Sequence, residues 1–88
     1  MERMDRSMLI EKLADAEHAS WAHWMAYLFS KCVRNEDGTY TIPAESASHW
    51  QMQVHTPYVS LTEREKESDR DEVRKILPLI DAYFAWNR

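Results

Sequence analysis

Apolar residues recur at helical spacing over two long stretches of this chain, separated by a polar, turn-rich middle. In the first stretch, steps of about 100° per residue align Ile10, Leu13, Ala14, Trp21, Trp24, Met25, Leu28 and Cys32 on one stripe. The pattern predicts a helix over residues 6–32. Asp5 or Ser7 is its expected N-cap, because a short side-chain oxygen can accept from the free amides of the first turn. Glu17 falls in the middle of the stripe. An unpaired carboxylate there is costly, so pairing, hydrogen bonding or neutralisation is expected. His18 lies at the edge of the stripe, while His23 and Tyr27 lie outside it, toward solvent or an intersubunit contact.

The pattern breaks after Val33. Asn35-Glu36-Asp37-Gly38 reads as a turn holding the single glycine, and the β-prone Tyr40-Thr41-Ile42 follows, which predicts a small hairpin. Pro43 suits a helix start, and a short helix is expected over residues 44–54, with Trp50 and Val54 one turn apart. Thr56-Pro57 ends it, since proline disfavours helix in the residue before it. Tyr58 to Leu61 then runs extended into the last helix, expected over residues 62–86.

That helix opens with a capping box, Thr62 with Glu65, and acidic residues in its first turn suit the helix dipole. Its stripe is Val73, Ile76, Leu77, Ile80 and Phe84. Extended backward, the same stripe lands on Lys66, Asp69 and Arg70, which predicts an inward-facing charged cluster. Pro78 removes one backbone hydrogen bond and crowds the Arg74 carbonyl, so a kink or restart is expected near Leu77. Antiparallel packing of the two long helices would bring Trp21 and Trp24 to the level of Val73 and Asp69-Arg70. The fold class is therefore mainly α, with two long antiparallel helices, a short middle helix and a small β-hairpin.

At 88 residues there is one domain, which buries only roughly 60–65% of its unfolded surface. Four Trp, four Tyr, two Phe and five Met are a large apolar supply for a helical layer of this size, so a homo-oligomer is expected. A net charge of −4 speaks against a duplex nucleic-acid binder, which displays a basic face to phosphates. The single Cys32 leaves no internal disulfide and fits a reducing compartment. No long apolar run and no signal-peptide pattern occur, so the expectation is a cytoplasmic protein with no membrane partner.

The candidate chemistry is sparse. Lys66, Asp69 and Arg70 together with Trp21, Trp24, Trp50 and Tyr58 suit a pocket where aromatic rings stack a base and cations hold phosphate. The same charges also suit an ion-pair network that braces a small domain. Asp15 and His18 have the i, i+3 spacing of a helical metal motif, but the second copy that a di-metal bundle needs is missing, so no metal site is expected. Glu17 and His18 are adjacent and point about 100° apart, which is poor geometry for shared proton transfer. Cys32 reads as core, and the Trp and Met stripe as core or interface. No catalytic residue and no cofactor is expected.

Two segments resemble a known family. The run from Glu11 through Ala14 to His18 and Trp21 is similar to the first signature helix of the RyR domain, the repeat of ryanodine receptors also found in small bacterial and phage proteins. Tyr58, Leu61, Thr62, Glu63, Glu65 and Lys66, followed by Asp69-Arg70-Asp71, resemble that domain's second signature, in the family's order. Many members carry a Gly-Trp-x-Tyr-Gly segment between the two, and this chain has none. The resemblance implies a helical module that senses a ligand or docks a protein without catalysis, with nucleotide-like ligands proposed. The positions it carries over are His18, Trp21, Tyr58, Leu61, Glu65, Lys66 and Arg70.

The expected function is thus a binding module for a nucleotide-derived anionic ligand, for sensing or sequestration, as in a phage-encoded protein. Trp21, Trp50 and Tyr58 would stack, Lys66 and Arg70 would hold charge, and His18 would line the site. The alternative is a protein–protein interaction module, assembling with itself or a host protein without a small ligand.

Overall fold

The structure, a computed structural model, describes residues 4–87. Asp5 caps the first helix, α1 (Arg6–Lys31), by accepting the Met8 amide on Oδ1 at 2.8 Å. A two-residue strand β1 (Val33–Arg34) follows and pairs antiparallel with β2 (Tyr40–Thr41), Val33 opposite Thr41 and Arg34 opposite Tyr40. Gly38 turns the hairpin at φ 89°, a conformation that costs any residue with a Cβ. Asn35 Nδ2 ties the turn to the Thr39 and Thr41 hydroxyls at 3.0 and 2.9 Å. The short helix α2 (Ala44–Val54) starts after Pro43.

Tyr58–Ser60 forms a 3-10 turn in place of the extended run expected there, closed by Ser60 and Leu61 amides bonding back to Pro57 and Tyr58. The last helix, α3 (Glu63–Trp86), has the complete capping box: Thr62 Oγ1 accepts the Glu65 amide at 3.2 Å, and Glu65 Oε1 accepts the Thr62 amide at 3.0 Å. α3 continues through Pro78 without a break, so the expected restart does not occur. Arg74 and Pro78 both lie on an exposed side of the helix, where the carbonyl that proline leaves unbonded can be met by water.

α1 and α3 pack antiparallel. Asn87 Nδ2 donates to the Met4 carbonyl at 2.8 Å at one end, and Ser20 Oγ donates to Glu72 Oε2 at 2.7 Å near the middle. The half-buried seam is made of Leu9, Leu13, Ala16 and Ser20 on α1 with Glu72, Ile76, Leu79, Tyr83 and Trp86 on α3. This corrects the expected stripes in part: their members Leu13 and Ile76 do lie at the seam, and Met25, Leu28, Cys32 and Ile80 are half-buried. The helices meet on the neighbouring faces, so Ile10, Trp21, Val73, Leu77 and Phe84 stand exposed, and Glu17 is exposed as well. The reason is volume. Small Ala16 and Ser20 let the helices approach closely, whereas Trp21 at that seam would hold them apart.

Among the described residues only Met4 is buried, at 7% exposure. The radius of gyration is 17.7 Å with extents of 53 × 35 × 16 Å, against about 12 Å for a compact domain of this length. The chain is one helical layer thick. The described residues form a seam but no enclosed core.

Candidate functional site

Past Ser20 and Glu72, a cleft of about 1030 Å³ opens among α1, α2 and α3. Trp24, Tyr27 and Leu28 of α1 form one wall, Trp50 and Val54 of α2 a second, and Leu61, Arg64 and Asp69 of the α3 segment the third. The Tyr27 ring meets Trp24 edge-on at 6.2 Å and Trp50 at 6.5 Å, so the three aromatics form a connected wall. His23 and Tyr27, expected at solvent or in a subunit contact, are both exposed, and they line this open cleft, where α2 lies beside the C-terminal half of α1.

Glu65 fastens α2 to α3. Its Oε2 accepts from Gln53 Nε2 at 2.6 Å and lies 3.9 Å from His49 Nε2, while Oε1 completes the capping box. The Thr62 amide, then the Thr62 hydroxyl and Gln53, hold the Glu65 carboxyl below its usual range. Neither the Gln53 tie nor the Ser20–Glu72 bond was expected from the sequence. Ser20 had a legible signal, since Leu13, Ala16 and Ser20 recur at helical spacing, but small side chains weigh little in a hydrophobic stripe.

The six residues singled out for a ligand site do not meet in one place. Trp50 lines the cleft. His18 and Trp21 stack on each other at 5.8 Å on α1, and neither lines the cleft. Tyr58, Lys66 and Arg70 also stand outside its walls. Lys66 Nζ lies 5.7 Å over the Tyr58 ring and 3.7 Å from Glu63. Arg70 Nη1 bonds Glu67 at 3.1 Å and Glu63 at 3.2 Å, and these carboxylates push the guanidinium further above its usual range. Arg74 bonds Glu67 and Asp71 in turn. Hydrogen bonds from Arg74 and then Arg70 hold the Glu67 carboxyl low. Lys66, Arg70 and Arg74 are thus engaged by carboxylates of their own helix. Asp69, expected inward beside them, sits on the cleft wall.

Arg64 is the cation that does line the cleft, and it has no ion-pair partner among the described residues. Arg64 sits on the first turn of α3, outside the apolar stripe, so periodicity alone does not mark it. Among the described residues no group of three His, Cys, Asp or Glu side chains could hold a metal ion. No helix among them is long and apolar enough to cross a membrane. Cys32, the C-cap of α1, is half-buried and free. No family model, no curated protein and no solved structure matches this chain.

Proposed function

We propose that this chain is a non-catalytic, cytoplasmic interaction module that completes its fold by self-association into a homo-oligomer. One observation carries the reading: among the described residues a single side chain, Met4, is buried, while large apolar residues stand exposed along both long helices. A stable domain needs a second layer against which its apolar face packs, and an isolated layer of this kind gains too little burial to offset the conformational entropy of folding. The RyR resemblance is compatible with a docking role.

Light scattering and thermal melts over a range of concentrations test this. An oligomeric mass, with a melting temperature that rises with concentration, is the expected result. A concentration-independent monomer with a cooperative melt would overturn it.

The cleft supports a second reading, a small anionic, nucleotide-derived ligand. Its connected Trp24, Tyr27 and Trp50 rings can stack an aromatic group, and Arg64 has no ion-pair partner among the described residues. A ligand at 100 times its dissociation constant would stabilise the protein by about 2.7 kcal/mol. A thermal-shift screen of nucleotides and cyclic dinucleotides, repeated with Arg64→Ala and Trp50→Ala, tests this reading. A saturable shift lost in both variants supports it, and no shift from any nucleotide removes it.

A further inference from the structure

We infer that the partner is a second copy of this chain, and that the two copies meet through the broad apolar face of the α1–α3 pair, forming a twofold-symmetric four-helix bundle. The inference rests on the self-association reading and names its surface.

The face is defined by five exposed apolar side chains. Ile10 and Trp21 on α1 are 59% and 57% exposed, and Val73, Leu77 and Phe84 on α3 are 51%, 44% and 64% exposed. On α1, Ile10, Ala14 and Trp21 recur at i, i+4 and i+11; on α3, Val73, Leu77 and Phe84 do the same. Each set is therefore one helical stripe.

The two stripes share a side of the layer. Antiparallel packing with Ser20 level with Glu72 brings Trp21 close to the level of Val73, and Ile10 close to that of Phe84. A shallow groove of about 430 Å³ confirms the placement, because Ala14 and Glu17 of α1 line it together with Val73 and Ile76 of α3. By the same helical positions Lys12 and Asp15 of α1, and Asp71 and Lys75 of α3, stand on the reverse side. The reverse side is charged, whereas the first face carries the exposed apolar side chains, with Glu17 among them and Lys66 and Arg70 at its α3 N-terminal end.

The shape of the face indicates what covers it. It is flat and two helices wide, which suits another pair of helices better than a single peptide. A layer of two antiparallel helices joined to an identical layer gives the up-and-down arrangement of a four-helix bundle around one core. Twofold symmetry requires only that the patch complement itself, and bulky Trp21 and Phe84 beside small Ala14 provide protrusions and a recess for this.

The area agrees. The chain exposes 7346 Å², whereas a compact monomer of 10.5 kDa would expose about 5,400 Å². The surplus is about 1,900 Å² per chain by that scaling. If the face accounts for only half of it, with the cleft holding the rest, two copies still bury about 1,900 Å² between them, within the range of a specific stable interface. The whole surplus would give roughly 3,800 Å², typical of an obligate homodimer.

The experiment follows single cysteines in a Cys32→Ser background, using the full chain. Val73→Cys places a thiol on the proposed face, Val54→Cys one in the cleft and Lys75→Cys one on the charged reverse side. Mass is measured by sedimentation, and maleimide labelling rates are compared above and below the dissociation midpoint. The expected result is a mass twice that of the chain, with at least a tenfold slower labelling of Val73→Cys in the dimer and unchanged rates at the other two positions. Leu77→Glu is expected to raise the dissociation constant at least 100-fold. Should that variant fail to fold, the labelling comparison stands without it. Protection at Val54→Cys with none at Val73→Cys would overturn the face assignment while leaving self-association standing. A monomer at every concentration would overturn both.

Discussion

Ser20 and Glu72 lie 52 positions apart in sequence, yet the Ser20 hydroxyl donates to Glu72 Oε2 at 2.7 Å across the middle of the α1–α3 seam. The same carboxylate accepts from Lys75 Nζ on its other oxygen at 3.0 Å. The bond lies on the faces where the two long helices meet, and the neighbouring apolar faces are left exposed. Ser20→Ala should lower stability by about 1 kcal/mol, the usual net value of a hydrogen bond at a part-buried site. Urea titrations of the two proteins at equal concentration measure it.

The same contact predicts a pH dependence. The Ser20 hydroxyl, then Lys75, hold the Glu72 carboxyl below the usual glutamate range. A carboxyl whose pKa is depressed by folding stabilises the native state above its unfolded value, and that contribution fades as pH falls through the folded one. Glu65 and Glu67 shift in the same direction. Stability should therefore be level near neutrality and decline below about pH 4.5. The decline should be shallower in Ser20→Ala. Urea midpoints collected between pH 7 and pH 3 would show this.

Glu17 stands in the shallow groove on the apolar face without an ion-pair partner among the described residues. Covering that face with a second copy desolvates the carboxylate, at a cost that an apolar residue would avoid. Glu17→Leu should tighten association by about tenfold, equal to about 1.4 kcal/mol. Sedimentation equilibrium gives the constant. Weaker association would mean instead that a cation from the partner meets Glu17.

Thr62→Ala removes the hydroxyl that caps α3 and should cost about 1 kcal/mol. The ion pairs of Arg70 and Arg74 are largely open to water, so Arg74→Ala should leave the melting temperature nearly unchanged. Parallel thermal melts of the two variants separate the cap from the surface charges.

At the hairpin, Gly38 holds φ 89° with nothing within 4 Å of an added Cβ. Gly38→Ala meets no clash and should still cost about 1 kcal/mol, through the backbone alone. Because the two strands are only two residues long, the effect should be local. Faster amide exchange at Asn35, whose N–H bonds the Thr39 carbonyl at 2.8 Å, with unchanged exchange in the α1–α3 seam, is the expected result.

Local chemistry was legible from the residues alone. The Asp5 cap, the Gly38 turn, the Pro43 helix start and the Thr62–Glu65 capping box each depend on neighbours a few positions away, and each appears where the sequence places it. The mainly helical fold and the antiparallel order of the long helices follow from these signals and from the 3.6-residue period. Which stripe would pack within the chain was not legible. On α1, the sets Leu13, Ala16, Ser20 and Ile10, Ala14, Trp21 both have helical spacing, and hydrophobicity favours the second. Close approach of the backbones favours the first, because small side chains allow it, and that is a property of two helices together. Periodicity marks a face that must be covered but carries no information on whether the covering element belongs to the same chain. The candidate site divided for the same reason. Lys66 and Arg70 were readable as a charged cluster, but their engagement by Glu63 and Glu67, and the gathering of Trp24, Tyr27, Trp50 and Arg64 around the cleft, depend on where α2 lies between the long helices. Spacing along one helix cannot specify the distance to another.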